Sequence, residues 1–182
     1  RTTNSGSLPA SLAHHYAQEA STSPQHFPAP YRPYGTSLPA SQSAFMICTK
    51  TFQCIRASLA CSSLLGRDEA SLMGRFVTEC LHRDDLVVLQ QLRSRLLDPV
   101  NLSYADELPV EVQARSASIL AEELAFAAPG TIFPTGQVRI LQGGLETRCH
   151  LQIYLGSFFG LNLYDPSSFR YAYLVIRLRH LD

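Results

Sequence analysis

The sequence lacks a net charge, and it also lacks any long apolar run. Its 15 Lys and Arg residues are balanced by 15 Asp and Glu residues, so the positive excess typical of a nucleic-acid-binding domain is missing. No apolar run approaches the roughly 20 residues that a transmembrane helix needs, and no charged segment followed by an apolar one marks a secretory leader. We therefore expect an intracellular protein, nuclear or cytoplasmic, with no membrane partner and no direct nucleic-acid contact.

Motifs of catalysis and metal binding are missing as well. The sequence has no Gly-x-Ser-x-Gly elbow, no His-Glu-x-x-His pair and no phosphate-binding glycine loop, which are short signatures of common enzyme classes. The cysteines are scattered singly and odd in number, which favours reduced thiols packed in a core over a disulfide framework. They are Cys48, Cys54, Cys61, Cys80 and Cys149. We predict no catalytic residue, no metal site and no cofactor.

The beginning of the chain differs in composition from the rest. Residues 1–42 are rich in Ser, Pro, Ala, Thr and Gln and show no sustained apolar period. Such a segment cannot bury enough apolar surface to offset its conformational entropy. We predict a disordered linker over residues 1–42 and one folded domain over residues 43–182. Because the chain begins with Arg1 rather than Met, we expect it to be a piece of a larger protein.

The first half of the domain contains short strands followed by short helices. Phe45–Cys48 and Gln53–Ala57 are predicted to be strands joined by a tight turn. A short helix over Leu59–Leu65 should end at Gly66, because glycine favours the left-handed conformation of a helix C-terminus. These two strands and one helix predict a β-β-α beginning for the fold.

A longer helix and an insertion follow. The box His82-Arg83-Asp84-Asp85 precedes apolar residues at helical spacing, and Asp84 is placed to cap that helix, which Pro99 ends. About 35 residues, roughly 98–134, then separate this helix from the next clear strand. Their middle, Val110 to Ala128, contains helix formers, so we predict an inserted helix or lid.

The last third of the domain is predicted to be strand. Gly143-Gly144 is a two-residue hairpin signal. Leu145 to Leu155 alternates cleanly between apolar and polar residues, and Phe169 to Leu181 alternates again, as half-buried strands do. The three last strands should therefore form an antiparallel layer with one face buried.

This order of elements resembles that of a PAS (Per-Arnt-Sim) domain over residues 44–181. In that family a strand is followed by a helix that closes on Leu-Leu-Gly, by a second Gly, and by a His-Pro-Asp-Asp box. The corresponding residues here are Leu64-Leu65-Gly66, Gly74 and His82-Arg83-Asp84-Asp85. The resemblance implies an α+β fold with a five-stranded antiparallel sheet, short helices on one face, and a long insertion before the last three strands.

Some positions depart from the family pattern. Ser58 replaces the family Asn, Phe52 stands where a turn Gly is usual, and Arg83 replaces the Pro of the box. With the long insertion, these departures resemble PAS regions of fungal transcription regulators of the white-collar and zinc-cluster kinds. The resemblance therefore implies a sensory and dimerisation module of a transcriptional regulator.

Two surfaces of such a domain are candidate sites. An internal pocket between sheet and helices would be lined by Met46, Cys48, Cys54, Leu151, Ile153, Leu174 and Ile176, although such positions are more often simple core. On the opposite face, aromatic side chains would form an exposed patch typical of protein contacts. Its residues are Tyr154, Tyr171, Tyr173 and Val175. We expect a homodimer or heterodimer through this face; the alternative is cover by the N-terminal segment or the insertion.

Other functions remain as alternatives. A flavin or haem sensor, acting as a photoreceptor or redox receptor, is one; however, Val77 stands where flavin-binding members carry their reactive thiol, Cys80 lies three residues too late, and the long helix has no His for haem. A small hydrolase is another, and it lacks a complete set of catalytic groups.

Overall fold

The computed structural model describes residues 44–98, 108–159, 161 and 166–181. The predicted linker over residues 1–42 lies outside the described residues, as does part of the insertion. The described residues form one five-stranded antiparallel sheet in the order β2-β1-β5-β4-β3. The strands are β1 (Ala44–Cys48), β2 (Cys54–Ala57), β3 (Thr135–Gln142), β4 (Leu145–Ser157) and β5 (Ala172–His180). With the helices below, this confirms the predicted α+β fold.

The last two strands lie side by side, as their alternation required. β4 and β5 pair antiparallel, with Leu151 opposite Leu178 and Tyr154 opposite Val175. β3 and β4 form the predicted hairpin, and Gly143 and Gly144 adopt φ of 56° and 87° in its turn. These left-handed values explain why glycine occupies both positions. β5 is shorter than predicted, because 166–171 form a 3-10 helix before it.

Within the residues that the structure describes, five α-helices accompany the sheet. They are α1 (Leu59–Leu65), α2 (Glu69–Leu72), α3 (Leu86–Leu97), α4 (Val110–Ser116) and α5 (Ala121–Leu124). Shorter 3-10 turns occupy Val77–Cys80 and Arg83–Asp85. Gly66 adopts the predicted left-handed conformation and ends α1. The element order is therefore the one that the PAS resemblance implied, with α4 and α5 added by the insertion.

Phe52 keeps the turn between β1 and β2 in a left-handed conformation, with φ of 70°. A side chain in this region costs about 1–2 kcal/mol. The Phe52 ring is buried in the core, and burying a phenylalanine gains about 1.5–3 kcal/mol. Hydrophobic burial thus offsets the strain where the family pattern has glycine.

The two faces of the sheet carry separate apolar clusters. The face toward α1, α2 and α3, which we call the inner face, holds the larger one, the inner cluster. The opposite face, the outer face, carries a second cluster beneath α4 and α5. The short helices α1, α2 and α3 thus lie on one face, as predicted. The insertion folds back over the other face, which was expected to be uncovered.

Candidate functional site

The outer face is divided into two halves. One half is apolar and covered, and we call it the capped half. Its sheet residues are Phe45, Ile47, Ile55, Tyr154, Tyr173 and Val175. The cover comes from Leu108, Ala121, Leu124, Ala125 and Phe158. Every one of these side chains is buried, so the insertion acts as an internal partner for this part of the sheet.

Two tyrosine hydroxyls hold the end of α5 on the sheet. Tyr154 Oη donates to the carbonyl oxygen of Ala125 at 2.7 Å, and Tyr173 Oη donates to that of Leu124 at 2.9 Å. The last carbonyls of a helix have no partner within it, so these bonds satisfy groups that the helix cannot. Burial raises the pKa of both phenols above the usual value. The hydroxyls therefore stay protonated, as donors, at neutral pH.

Further contacts fix both ends of the cover. Arg56 Nη1 donates to the Ala117 carbonyl at 2.6 Å, just after α4. Beyond α5, the Ala128 amide donates to the Leu155 carbonyl at 2.7 Å, which joins the insertion to β4. The Phe158 ring meets the Tyr173 ring edge-on at 4.9 Å. The insertion is thus anchored to the sheet by polar contacts around an apolar centre.

Gly156 is a site residue that the sequence pattern did not reveal. It lies opposite Tyr173 in the pairing of β4 with β5. A Cβ atom at position 156 would overlap the Tyr173 ring, so glycine at this position lets the ring pass β4 and its hydroxyl reach Leu124 of α5. A single Gly inside an alternating strand is the signal that indicates such a close approach.

The predicted exposed patch is mostly buried. The side chains of Tyr154, Tyr173 and Val175 are 2%, 1% and 0% exposed, so the expectation of a free aromatic surface is wrong for these three. Tyr171 is partly exposed and lies in the 3-10 turn before β5, where its ring contacts Phe159 at 4.7 Å. The alternative of cover by the insertion is what the structure shows.

The rest of the outer face, the open half, is polar. Successive side chains of a strand point to opposite faces of the sheet. Val138, Cys149 and Leu178 point into the inner cluster, so the residues next to them in sequence point to the outer face. These outward residues are Gln137, Arg139, Arg148, His150, Gln152, Arg177 and Arg179. Glu146 shares this strand parity and lies 3.6 Å from Arg139 Nη1, and Asp85 also binds Arg139. The open half is therefore polar and carries charges of both signs next to the capped half.

The box before α3 is a structural joint between helix and sheet. The Asp85 carboxylate accepts the Arg139 amide at 2.7 Å and two guanidinium bonds at 3.0 Å each. These bonds lower the pKa of Asp85 below its usual value. The predicted cap at Asp84 is wrong: His82 Nδ1 accepts the Asp84 amide at 3.3 Å and caps the turn instead. Asp85 therefore docks the start of α3 on β3.

The inner cluster contains every residue predicted to line a pocket. Met46, Cys48, Cys54, Leu151, Ile153, Leu174 and Ile176 are all buried there. The other three cysteines belong to the same cluster, and all five thiols are free. Within the described residues, no group of three or more His, Cys, Asp or Glu side chains is placed to hold a metal ion. Val77, at the flavin-thiol position, is buried in this cluster too.

Comparisons with known proteins give matches only among solved structures. No protein-family model matches the chain, and no curated protein matches it. The structure is similar to the PAS domain of an HTR-like protein from Haloarcula marismortui, at 11% identity and TM-score 0.43, covering 76% of this chain and 81% of that one. No described helix has both the length and the apolar character needed to span a bilayer.

Two other solved structures show likeness of the same degree. A variant of the PAS-B domain of Drosophila melanogaster Cycle has 8% identity and TM-score 0.45, with 76% of this chain and 99% of that one covered. The PAS domain of a LuxR-family transcriptional regulator from Burkholderia thailandensis has 11% identity and TM-score 0.41, with 76% and 88% covered. At these identities the likeness concerns the arrangement of strands and helices.

Proposed function

We propose that this chain is a non-catalytic sensory and protein-interaction module of the PAS type, within an intracellular, nuclear or cytoplasmic regulator of transcription. The Leu-Leu-Gly block and the box before α3 lie at the ends of the helices where the resemblance implied them. The resemblance of its departures from the family pattern to those of fungal regulators supports extending the proposal to that class. DNA contact, where the full regulator makes it, would belong to another domain.

The observation that supports an interaction role is the capped half. Its apolar residues would form a typical protein-binding surface if they were exposed. The helices that cover them are short, with 7 residues in α4 and 4 in α5. Helices of this length are not stable by themselves. The cover therefore owes its order to its contacts with the sheet, and it is a segment expected to open locally before the domain unfolds.

The proposed mechanism is an exchange of occupants. When the insertion leaves, Tyr154, Tyr173 and Val175 become available to a partner, which is a second copy of the chain or another protein of similar fold. A signal acts by changing the relative free energies of the covered and the paired states. The predicted dimer interface and the observed burial are then two states of one surface.

The test is to open the cover without touching the sheet. Leu124 is 0% exposed and Leu120 is 64% exposed on the same insertion, so Leu124→Asp and Leu120→Asp form a matched pair. We expect Leu124→Asp to give a reversible dimer in size-exclusion chromatography with light scattering, because a buried charge expels α5. Leu120→Asp should behave like the wild type, which we expect to be mainly monomeric.

A third variant connects the dimer to the outer face. Adding Tyr173→Glu to Leu124→Asp should return the protein to a monomer, since the new charge lies in the centre of the exposed surface. Circular dichroism verifies that each variant keeps its secondary structure. A folded Leu124→Asp protein that stays monomeric at every concentration would show that the outer face does not pair copies of this chain.

A second candidate function is a small-ligand sensor, because the seven predicted pocket residues converge between the sheet and α1–α3. A ligand there would be small and largely apolar, since its walls are aliphatic and thiol side chains. Visible absorbance of the purified chain would favour a flavin or haem. A colourless preparation, with no small molecule released on denaturation and detected by mass spectrometry, would argue against this candidate.

A further inference from the structure

Two of the five buried thiols face each other across neighbouring strands. Cys48 ends β1, Cys54 begins β2, and the two are partners in the antiparallel register. Both belong to the inner cluster, so their side chains lie on the same face of the sheet. This arrangement distinguishes the pair from the other three cysteines, which lie on other elements.

The backbone bonds of Cys54 show what kind of strand pair this is. Its amide donates to the Arg75 carbonyl at 2.7 Å, and its carbonyl accepts the Gly74 amide at 2.8 Å. Neither group is therefore bonded to Cys48, which makes the two cysteines a non-hydrogen-bonded pair. In such pairs the Cα atoms are about 4.5 Å apart, and the side chains approach most closely.

That spacing suits a disulfide bond. Disulfides form at Cα separations of about 4.4–6.8 Å, which includes the separation of a non-hydrogen-bonded pair. A register irregularity lies between Ile47 and Cys48, and β2 is a four-residue strand at the edge of the sheet. A bulge disrupts the ladder locally, so the pairing of Cys48 with Cys54 is less regular than that of the residues before it.

The two thiols also differ in chemistry from the rest. A hydrogen bond with Cys48 lowers the pKa of Cys54 despite burial, whereas burial raises the pKa of Cys48, Cys61, Cys80 and Cys149. Cys54 is thus the thiol that ionises most readily, and the thiolate is the reactive form of cysteine. Cys48 is placed next to it as a resolving thiol.

We propose that Cys48 and Cys54 form a redox-sensitive pair, which a peroxide converts into a disulfide between β1 and β2. The Cys54 thiolate first attacks the peroxide, so that an S–O bond forms, the O–O bond breaks and hydroxide leaves. The Cys48 sulfur then attacks the Cys54 sulfenic sulfur, so that the S–S bond forms and the oxygen leaves as water. Two electrons pass from the two sulfurs to one hydrogen peroxide, which ends as two waters.

The disulfide would restrict the turn between β1 and β2, which also contacts α3. Residues 49–53 connect the two cysteines, and the carbonyl of Lys50 in this turn accepts a bond from Arg93 Nε of α3 at 2.6 Å. Phe52 of the same turn is part of the inner cluster. Oxidation therefore acts on a point where the edge of the sheet, the turn and α3 meet.

The sequence allows a direct test by peptide mapping. Trypsin cuts after Lys50 and Arg56, and further Arg residues separate the other cysteines, so each of the five lies in its own tryptic peptide. The full chain is treated with hydrogen peroxide, blocked with N-ethylmaleimide, denatured and digested. We expect the intact mass to fall by two hydrogens and the peptides of Cys48 and Cys54 to be linked, with dithiothreitol reversing both changes.

Matched variants separate the two roles. Cys54→Ala should abolish the linkage, and Cys48→Ala should leave a sulfenic acid on Cys54 that dimedone traps. Cys61→Ala makes the same change in volume within the same cluster and should leave the linkage intact. The peptide map of the wild-type chain tests the proposal even if a variant fails to fold. The proposal is overturned if Cys48 and Cys54 stay reduced after peroxide treatment of the folded chain. It is also overturned if disulfides form equally among the other cysteines. The result does not depend on the interaction role proposed above.

Discussion

The two faces of the sheet bury similar apolar side chains beneath different kinds of cover. On the inner face, α1 and α3 are tied into the fold through caps and through the bonds between Asp85 and Arg139. On the outer face, α4 and α5 come from a segment between α3 and β3 that rests on few apolar side chains of its own. The inner helices are part of the folding core, whereas α4 and α5 belong to an inserted segment that packs on the outer face of the sheet.

This difference determines how substitutions on each face change the free energy of unfolding. A side chain in the folding core contributes to the stability of the whole domain, so its loss is felt in global unfolding. A segment can also open locally while the rest of the domain stays folded. A substitution at its contact with the sheet then lowers the stability by no more than the free energy of closing that segment. Substitutions on the two faces should therefore separate into two classes of effect.

The largest effect is expected from a matched pair of leucine truncations. Leu151 of the inner face and Leu124 of the cover are both fully buried. We expect Leu151→Ala to lower the free energy of unfolding by about 3 kcal/mol, as buried leucines commonly do. Leu124→Ala should cost about 1 kcal/mol, because the cover opens instead of transmitting the loss. Urea unfolding followed by circular dichroism measures both, and equal losses would show that the cover belongs to the core.

A smaller effect should come from closing the space beside Tyr173. Gly156→Ala introduces a methyl group that overlaps the ring, and overpacking of this kind costs about 1–2 kcal/mol. We expect the ring to move and its bond to Leu124 to break, so that hydrogen exchange quickens in α5. The measurement is exchange followed by mass spectrometry, with the peptides of the insertion compared with those of α3.

Gly143→Ala is the control for this experiment. Gly143 also has a demanding conformation, with φ of 56°, but no atom lies within 4 Å of the added methyl group. Its cost of about 1 kcal/mol comes from the backbone alone and should leave exchange in α5 unchanged. If both variants speed exchange in α5 equally, the close approach of Gly156 to Tyr173 does not hold the cover.

Much of the sheet could be predicted because a strand repeats every two residues. The alternation in β4 and β5 assigned Leu151 and Leu174 to one side and Tyr154 and Tyr173 to the other, and the structure agrees. What lies over each side is a different question. Strand parity describes the direction of a side chain and contains no information about the segment that covers it.

The sequence of the cover is too short to predict where α4 and α5 pack. A helix of four residues completes barely one turn, so its sequence cannot define an apolar face, and Leu120 and Leu124 are indistinguishable by pattern. Their difference arises from contacts with strands far away along the chain. The role of Asp85 was missed for the same reason, because its partner Arg139 lies 54 residues further on.

The smallest effect concerns the joint that ties α3 to the inner side of the fold. Bonds from Arg139 lower the pKa of Asp85 in the folded protein. A carboxyl with a lowered folded pKa stabilises the fold above its unfolded pKa, about 4, and this contribution is lost as the pH falls through the folded value. Asp85→Asn removes the contribution, so it should lower the urea midpoint at pH 7 by less than either truncation above.

The pH dependence distinguishes this joint from an ordinary packing contact. The difference between wild type and Asp85→Asn should shrink as the pH falls from about 4 through the lowered folded pKa of Asp85, because the protonated carboxyl is then neutral, as Asn is. The Leu151→Ala deficit should instead persist across the same range, since no proton is involved. A constant gap between wild type and Asp85→Asn would mean that the shape of the side chain, rather than its charge, docks α3.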